Sequence, residues 1–100
     1  MFEELSDRQK ILLTLVIHEY IRLAAPVGSS HLVERYHLDM SSATVRNELA
    51  ALTERGYLRQ PHTSAGRIPT EEGYRYFVSR LVQEKDLPDP TRRMISHQFY

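Results

Sequence analysis

The chain of 100 residues is long enough for one domain with a modest core. It contains no cysteine, which excludes disulfides and thiolate metal sites, and its net charge of zero does not favour a protein that binds nucleic acid through charge alone. No apolar run approaches the about 18 residues of a membrane span, and the start lacks the basic region of a signal peptide. We therefore expect a cytoplasmic protein that has no membrane partner.

The first predicted helix begins at a capping box formed by Ser6 and Gln9 and runs to about Ala24, ahead of Pro26. Its apolar arc is broad, because the polar stripe of Thr14, His18 and Arg22 is only one residue wide. Two interpretations stay open. The helix is well buried in its own domain, or one side of it packs against a partner subunit or a following domain.

A connector at residues 25–28 precedes the second predicted helix, and Val27 in it is a candidate for a short strand on the later sheet. Ser29 or Ser30 is the expected N-cap of this second helix. The turn at residues 37–40 then joins it to a third helix, so that the two form a helix-turn-helix.

The third predicted helix spans about residues 42–55, with Ser41 or Ser42 as its N-cap and Gly56 as a left-handed C-cap. Its apolar residues fall at i, i+4 and i+7 and make one stripe: Val45, Leu49 and Leu52. The opposite face holds small and polar residues: Ala43, Arg46, Asn47, Ala50 and Glu54.

Two short strands at residues 57–60 and 67–69 flank the turn-rich loop 61–66. Thr70 is the expected cap of a fourth helix, which ends before Pro88 and carries an apolar stripe: Tyr74, Phe77, Val78, Leu81 and Val82. The predicted fold class is therefore mostly α with a small antiparallel β-hairpin, a winged helix-turn-helix in which the hairpin is the wing.

The predicted domain covers residues 1–85, and residues 86–100 are interpreted as a linker and the start of a following element. Two prolines stiffen the linker. After it, Thr91 is a candidate cap for a helix with three apolar residues on one face: Met94, Ile95 and Phe99.

An exposed helix face that carries Arg and Asn beside a polar hairpin is typical of a protein that reads double-stranded DNA. Arg46 can bond guanine O6 and N7, and Asn47 can bond adenine N6 and N7. Ala43 is small enough for a close approach to the groove. The hydroxyls of Ser41, Ser42 and Thr44 suit phosphate oxygens, and plain capping is the alternative for the serines.

Two more groups complete the predicted DNA interface. Ser29, Ser30 and His31 open the second helix, whose N-terminus is expected at a phosphate, with capping again as the alternative. The wing contributes residues for the minor groove or the backbone: His62, Thr63, Ser64, Gly66 and Arg67. The alternative for Arg67 is that it pairs with Glu71 or Glu72 and only braces the wing.

The charge distribution agrees with this placement, since residues 1–40 carry four basic and six acidic side chains and residues 41–80 carry six and four. The histidines form no metal-ligand pair of the H-x-x-x-H type, and no glycine-rich phosphate loop is present. We expect neither an enzyme nor a cofactor. The rival interpretation is a winged helix that binds a protein and not DNA.

The segment 59–78, RQPHTSAGRIPTEEGYRYFV, is similar to the signature of the heat-inducible transcription repressors of the HrcA family. The blocks PVGS at residues 26–29 and SATVRNE at residues 42–48 also resemble that family, and the match covers about Leu5 to Leu81. The resemblance implies a nucleoid-associated repressor of chaperone operons that binds an inverted-repeat operator. It also implies a homodimer formed through a following GAF-like domain, and a chaperonin as partner.

Overall fold

The computed structural model describes residues 5–85. Four helices and one antiparallel hairpin make up this part of the chain, which confirms the predicted fold class. In chain order they are α1 (Asp7–Leu23), α2 (Ser29–Tyr36), α3 (Ser42–Glu54), β1 (Leu58–Arg59), β2 (Ile68–Pro69) and α4 (Glu71–Lys85). The interpretation of residues 86–100 as a linker and a further element lies outside the described residues.

Helix α1 begins at the predicted capping box. The Ser6 hydroxyl accepts a hydrogen bond from the Gln9 backbone N–H at 3.1 Å, and the Gln9 side chain accepts one from the Ser6 N–H at 3.1 Å. These two bonds satisfy N–H groups that have no partner inside the helix. The helix ends at Ala24, which adopts the left-handed conformation. Both predicted bounds are confirmed.

The core lies between α1 and α3, and the wing and α4 close it from the side. The predicted stripe on α3 is buried, with Val45 and Leu52 fully excluded from solvent and Leu49 nearly so. Burial of each such side chain stabilises the fold by about 1.5–3 kcal/mol. Its partners come from α1, α2, β1, α4 and the segments next to them: Leu12, Leu13, Val16, Ile17, Val27, Leu32, Tyr57, Leu58 and Tyr76.

The broad apolar arc of α1 is only partly used by this core. Ile11, Ile21 and Leu23 stay exposed, although four apolar residues of the same helix are fully buried. One position departs from the prediction, because the charged residue Glu19 lies in the buried register of the helix and is 1% exposed. The arc therefore combines a core face with an apolar strip that the described residues leave uncovered.

The expected cap of α2 is wrong. The N-cap is Gly28, with no side chain bonded to the first turn, and Ser29 and Ser30 are the first two helical residues. The reason is the short connector: Val27 exchanges two backbone hydrogen bonds with Arg67, each 2.9 Å long. Only Gly28 then remains between that bridge and the helix. The prediction that Val27 joins the wing sheet is confirmed.

Helix α3 has the predicted N-cap and C-terminal stop. The Ser41 hydroxyl accepts a hydrogen bond from the Thr44 N–H at 3.1 Å, so that Ser41 is the cap and Ser42 the first helical residue. Gly56 follows the helix with φ of 87°, a conformation that a side chain disfavours. The chain then turns into the wing.

The wing strands are shorter than predicted. Leu58 pairs with Pro69 and Arg59 with Ile68, and the ladder stops on both sides of these pairs. Beyond the Leu58–Pro69 pair, one backbone hydrogen bond from the Thr70 N–H to the Tyr57 carbonyl, 3.1 Å long, continues at the base of the wing.

The stripe predicted for α4 is half-buried at its start and exposed beyond it. Thr70 caps the helix, since its hydroxyl accepts a hydrogen bond from the Gly73 N–H at 3.2 Å. Tyr74 and Phe77 of this stripe are half-buried, whereas the buried residue is Tyr76, which lies outside the predicted stripe and packs against Tyr57. Three further members of the stripe are exposed because the helix extends past the edge of the core: Val78, Leu81 and Val82. In the described part of the chain, no helix has the length and apolar character of a membrane span.

Candidate nucleic-acid interface

Arg46 and Asn47 lie on the outer face of α3 and are exposed, as predicted. Within residues 5–85, neither side chain takes part in a hydrogen bond or an ion pair, so both are available to a ligand. Ala43 is exposed one turn earlier on the same face. This face therefore presents the Arg46 guanidinium, the Asn47 amide, which can both donate and accept hydrogen bonds, and the small exposed side chain of Ala43.

The hydroxyls at the start of α3 are partly occupied by capping. Ser41 accepts a hydrogen bond from the Thr44 N–H, and its own hydroxyl donates to the Thr44 hydroxyl oxygen at 3.0 Å. Capping is thus a role of Ser41 in the free chain. Ser42, half-buried in the first turn, takes no part in this pair.

An open cleft of about 230 Å³ lies beside α3 and brings three of the predicted groups together. One wall is the start of α2, from Gly28 to His31. The opposite walls are Arg46 and Leu49 of α3 and the wing residues 65–67. Since α2 has no side-chain cap, the N–H groups of its first turn and the positive end of the helix dipole are directed to this side. The cleft therefore suits an anionic group.

Arg67 braces the wing through a hydroxyl and a backbone carbonyl, and not through a carboxylate. Its Nε donates to the Thr53 hydroxyl at 3.0 Å, and its Nη1 donates to the Ala65 carbonyl at 2.8 Å. The alternative pairing with Glu71 or Glu72 is wrong, because both of these residues pair with Arg75. Arg67 therefore ties the wing to the end of α3 and still lines the cleft.

Gly66 is required by a close approach. A Cβ at this position would lie 3.0 Å from backbone and side-chain atoms of Pro26 and from the N atom of Val27. Its own N–H donates to the Ser64 hydroxyl at 3.0 Å, which shapes the loop. The remaining predicted wing residues, His62 and Thr63, form an exposed turn at the far end of the wing.

One group at the interface was missed by sequence reasoning. The buried carboxylate of Glu19 accepts hydrogen bonds from Arg22 at 3.0 and 3.3 Å and from the Tyr36 hydroxyl at 2.7 Å, and it meets His31 Nε2 at 2.7 Å. Arg35 lies 3.6 Å away. The available signal was an acidic residue at the core register of α1, three positions after Val16.

The charge state of this cluster is well defined. The hydrogen bonds from Arg22, above all, hold the pKa of Glu19 far below its ordinary value, against the opposing effect of burial. Burial and the hydrogen bond to Glu19 raise the pKa of Tyr36. Glu19 is therefore ionised at neutral pH and acts only as an acceptor. Among the side chains that the structure describes, no group of acids and histidines is arranged to hold a metal ion.

Helices α1 to α3, the hairpin wing and the exposed polar face of α3 define a winged helix-turn-helix protein. Comparison with curated proteins shows similarity along nearly the whole chain to proteins named heat-inducible transcription repressor HrcA. The chain belongs to the HrcA family. No family model matches it.

The chain is 53% identical over 96 residues to the HrcA repressor of Chloroflexus aurantiacus and 50% identical over 93 residues to that of Streptomyces albus G. It is 42% identical over 99 residues to that of Chlorobium phaeobacteroides. These matches cover 96%, 93% and 99% of the chain but only 26–28% of the relatives, so it spans about a quarter of their length.

One solved structure agrees with the fold. The crystal structure of a protein described only as hypothetical superposes with a TM-score of 0.75 at 43% sequence identity. The superposition covers 79% of this chain and 25% of that one.

Proposed function

We propose that this chain is the DNA-binding part of a transcription repressor of heat-shock and chaperone operons. Helix α3 lies in the major groove of a double-stranded operator, and the wing lies at the minor groove or on the backbone. The observation that carries the proposal is the pair Arg46 and Asn47, exposed and unengaged beside a cleft suited to an anion. The names of the relatives support the repressor role.

The cleft gives the phosphate backbone a place in this arrangement. The strand that separates the two grooves passes between a helix in the major groove and a wing at the minor groove. A phosphodiester in the cleft meets the first turn of α2, including Ser29 and Ser30, and the arginines of α3 and the wing. Phosphate contacts of this kind fix the register in which α3 reads base edges.

We further propose that the complete protein is a homodimer that binds an inverted-repeat operator on the nucleoid, with a chaperonin as a second partner. Residues 1–85 form the DNA-binding domain, and residues 86–100 lead to a dimerisation domain. The uncovered apolar residues of α1 and α4 support a protein contact in addition to the DNA contact. They are also the observation that favours the rival function, a winged helix that binds only protein.

Substitution of Asn47 tests base reading. We expect Asn47→Ala to weaken binding to duplexes enriched from a random-sequence pool by about 1–3 kcal/mol, because the bidentate contact to one base is lost. Binding to an unrelated duplex of the same length changes little. Fluorescence anisotropy on both duplexes measures the two affinities.

The matched control is Arg75→Ala, which removes an arginine on α4 outside the cleft and leaves the preference between the duplexes unchanged. Equal losses on both duplexes would show that Asn47 reads no base. If the unaltered chain binds neither duplex at low salt, the rival protein-binding function is favoured.

Two variants separate the effect of the Arg67 charge from that of its hydrogen bond to Thr53, which braces the wing. We expect Arg67→Ala to weaken binding to every duplex and to lower the slope of log K against log salt by about 1, because one phosphate contact is lost. Thr53→Val removes the brace, costs about 1 kcal/mol of stability, and keeps the slope. An unchanged slope in Arg67→Ala would leave Arg67 as a brace alone.

A further inference from the structure

Glu19 is the one charged residue that lies buried among the described side chains, and it joins α1 to α2. Helix α2 packs chiefly against α3, with Leu32 in the core. Its polar connection to α1 consists of the hydrogen bonds of His31 and Tyr36 to the Glu19 carboxylate and of an ion pair between Arg35 and the same group. The cluster therefore holds α2 on the side of α1, in addition to the packing of α2 against α3.

The two α2 residues that hydrogen-bond to Glu19 stand five positions apart, which corresponds to about 7.5 Å along a helix axis, and Arg35 lies between them in sequence, 3.6 Å from the same carboxylate. His31 belongs to the first turn and Tyr36 is the last helical residue. Two anchors on one carboxylate restrict both the rotation of α2 about its axis and its tilt. Two apolar side chains at the same place would restrict the rotation and tilt of α2 less, because dispersion contacts tolerate small rotations.

His31 connects this cluster with the cleft. It lines the cleft together with Ser29 and Ser30, and its Nε2 lies 2.7 Å from the Glu19 carboxylate. Because the ionised carboxylate only accepts, Nε2 must carry the proton of this hydrogen bond. The hydrogen bond therefore sets the orientation of the imidazole ring, with a proton on Nε2, before any ligand binds.

We infer that Glu19 is a positioning residue for DNA binding, which acts through His31 to hold the first turn of α2 where a phosphodiester enters the cleft. The inference rests on the proposed DNA-binding function. Glu19 itself touches no ligand, since it is 1% exposed. Its effect on affinity comes from preorganisation. Without Glu19, the first turn of α2 has to be ordered when DNA binds, and the cost of that ordering makes the binding free energy less favourable.

The test is a double-mutant cycle on the affinity for a fluorescein-labelled 24-base-pair duplex of arbitrary sequence at low salt. All variants are measured at a temperature at which circular dichroism shows them folded. We expect Glu19→Gln and His31→Ala each to weaken binding by about tenfold, the size of coupling within one hydrogen-bond network. The double variant is expected to bind no more weakly than His31→Ala alone.

The stability control is Ile17→Ala, which removes buried methyl groups from the same helix outside the polar cluster and keeps the affinity of the unaltered chain. If Glu19→Gln does not fold, Glu19→Asp takes its place in the cycle, because it keeps the charge and withdraws it by one methylene.

Three outcomes overturn the inference. Unchanged affinity in the folded Glu19 variant shows that the cluster only stabilises the fold. If the loss of affinity in the double variant equals the product of the losses in the two single variants, Glu19 does not act through His31. Failure of the unaltered chain to bind any duplex refutes the proposed function, and the inference with it.

Discussion

Gly73→Ala is expected to lower the free energy of unfolding by about 3 kcal/mol or more. A Cβ at this position would overlap the carbonyl oxygen of Tyr57 and approach the Leu13 side chain. The carbonyl belongs to the backbone and already accepts a hydrogen bond from the Thr70 N–H at 3.1 Å. It therefore cannot move without displacing the base of the wing, and overpacking against backbone lies at the costly end of such substitutions.

Gly28→Ala is the matched control, because a Cβ there meets no atom within 4 Å and φ is negative. We expect this variant to lose less than about 1 kcal/mol, the cost of alanine at an N-cap. Urea unfolding followed by circular dichroism measures both variants. Similar midpoints for the two would mean that α4 shifts away from β1 at little cost, and that the contact at Gly73 does not fix the position of α4.

Joining two copies of the chain is expected to raise the affinity for an inverted repeat by about 10²–10⁴, because the second contact becomes intramolecular. One copy brings a net charge of zero and a single α3, and one small module rarely reaches the about 10⁻⁸ M of specific binding. The two-fold axis of a dimer matches the symmetry of such a repeat. A C-terminal fusion to a parallel two-stranded coiled coil tests this expectation.

The matched controls are a fusion whose coiled coil cannot pair and a duplex in which one half-site is scrambled. Neither is expected to show the gain. Sedimentation of the unfused chain, with and without the duplex, reports its own association, which we expect to be absent or weak through α1. If the unfused chain is already a dimer and binds the repeat as tightly as the fusion, residues 1–100 contain the whole dimer interface.

The elements were predictable where local rules decided them. The capping box at Ser6, the buried stripe on α3 and the stop at Gly56 depend on residues that are neighbours along the chain or on one helix face. For the same reason the outward direction of Arg46 and Asn47 followed from their spacing to Val45 and Leu49. Whether these two residues read bases stays a prediction.

Predictions failed where a distant partner decided the outcome. The N-cap of α2 is Gly28 and not a serine because Val27 pairs with Arg67, forty residues later in the chain. The exposed end of the α4 stripe has the same period as its half-buried start, because a periodic pattern does not show at which residue the core ends.

The sequence by itself determined the four helices, the hairpin, the caps of α1 and α3, and the outer face of α3, because periodicity, capping and turn residues act over a few positions. Only the tertiary structure decided which polar groups meet. It brought Glu19 to His31 and Tyr36, directed Arg67 to Thr53, and formed the cleft between α2, α3 and the wing. A hydrogen bond requires two groups within about 3 Å, and sequence separation does not specify that distance when the partners lie on different elements.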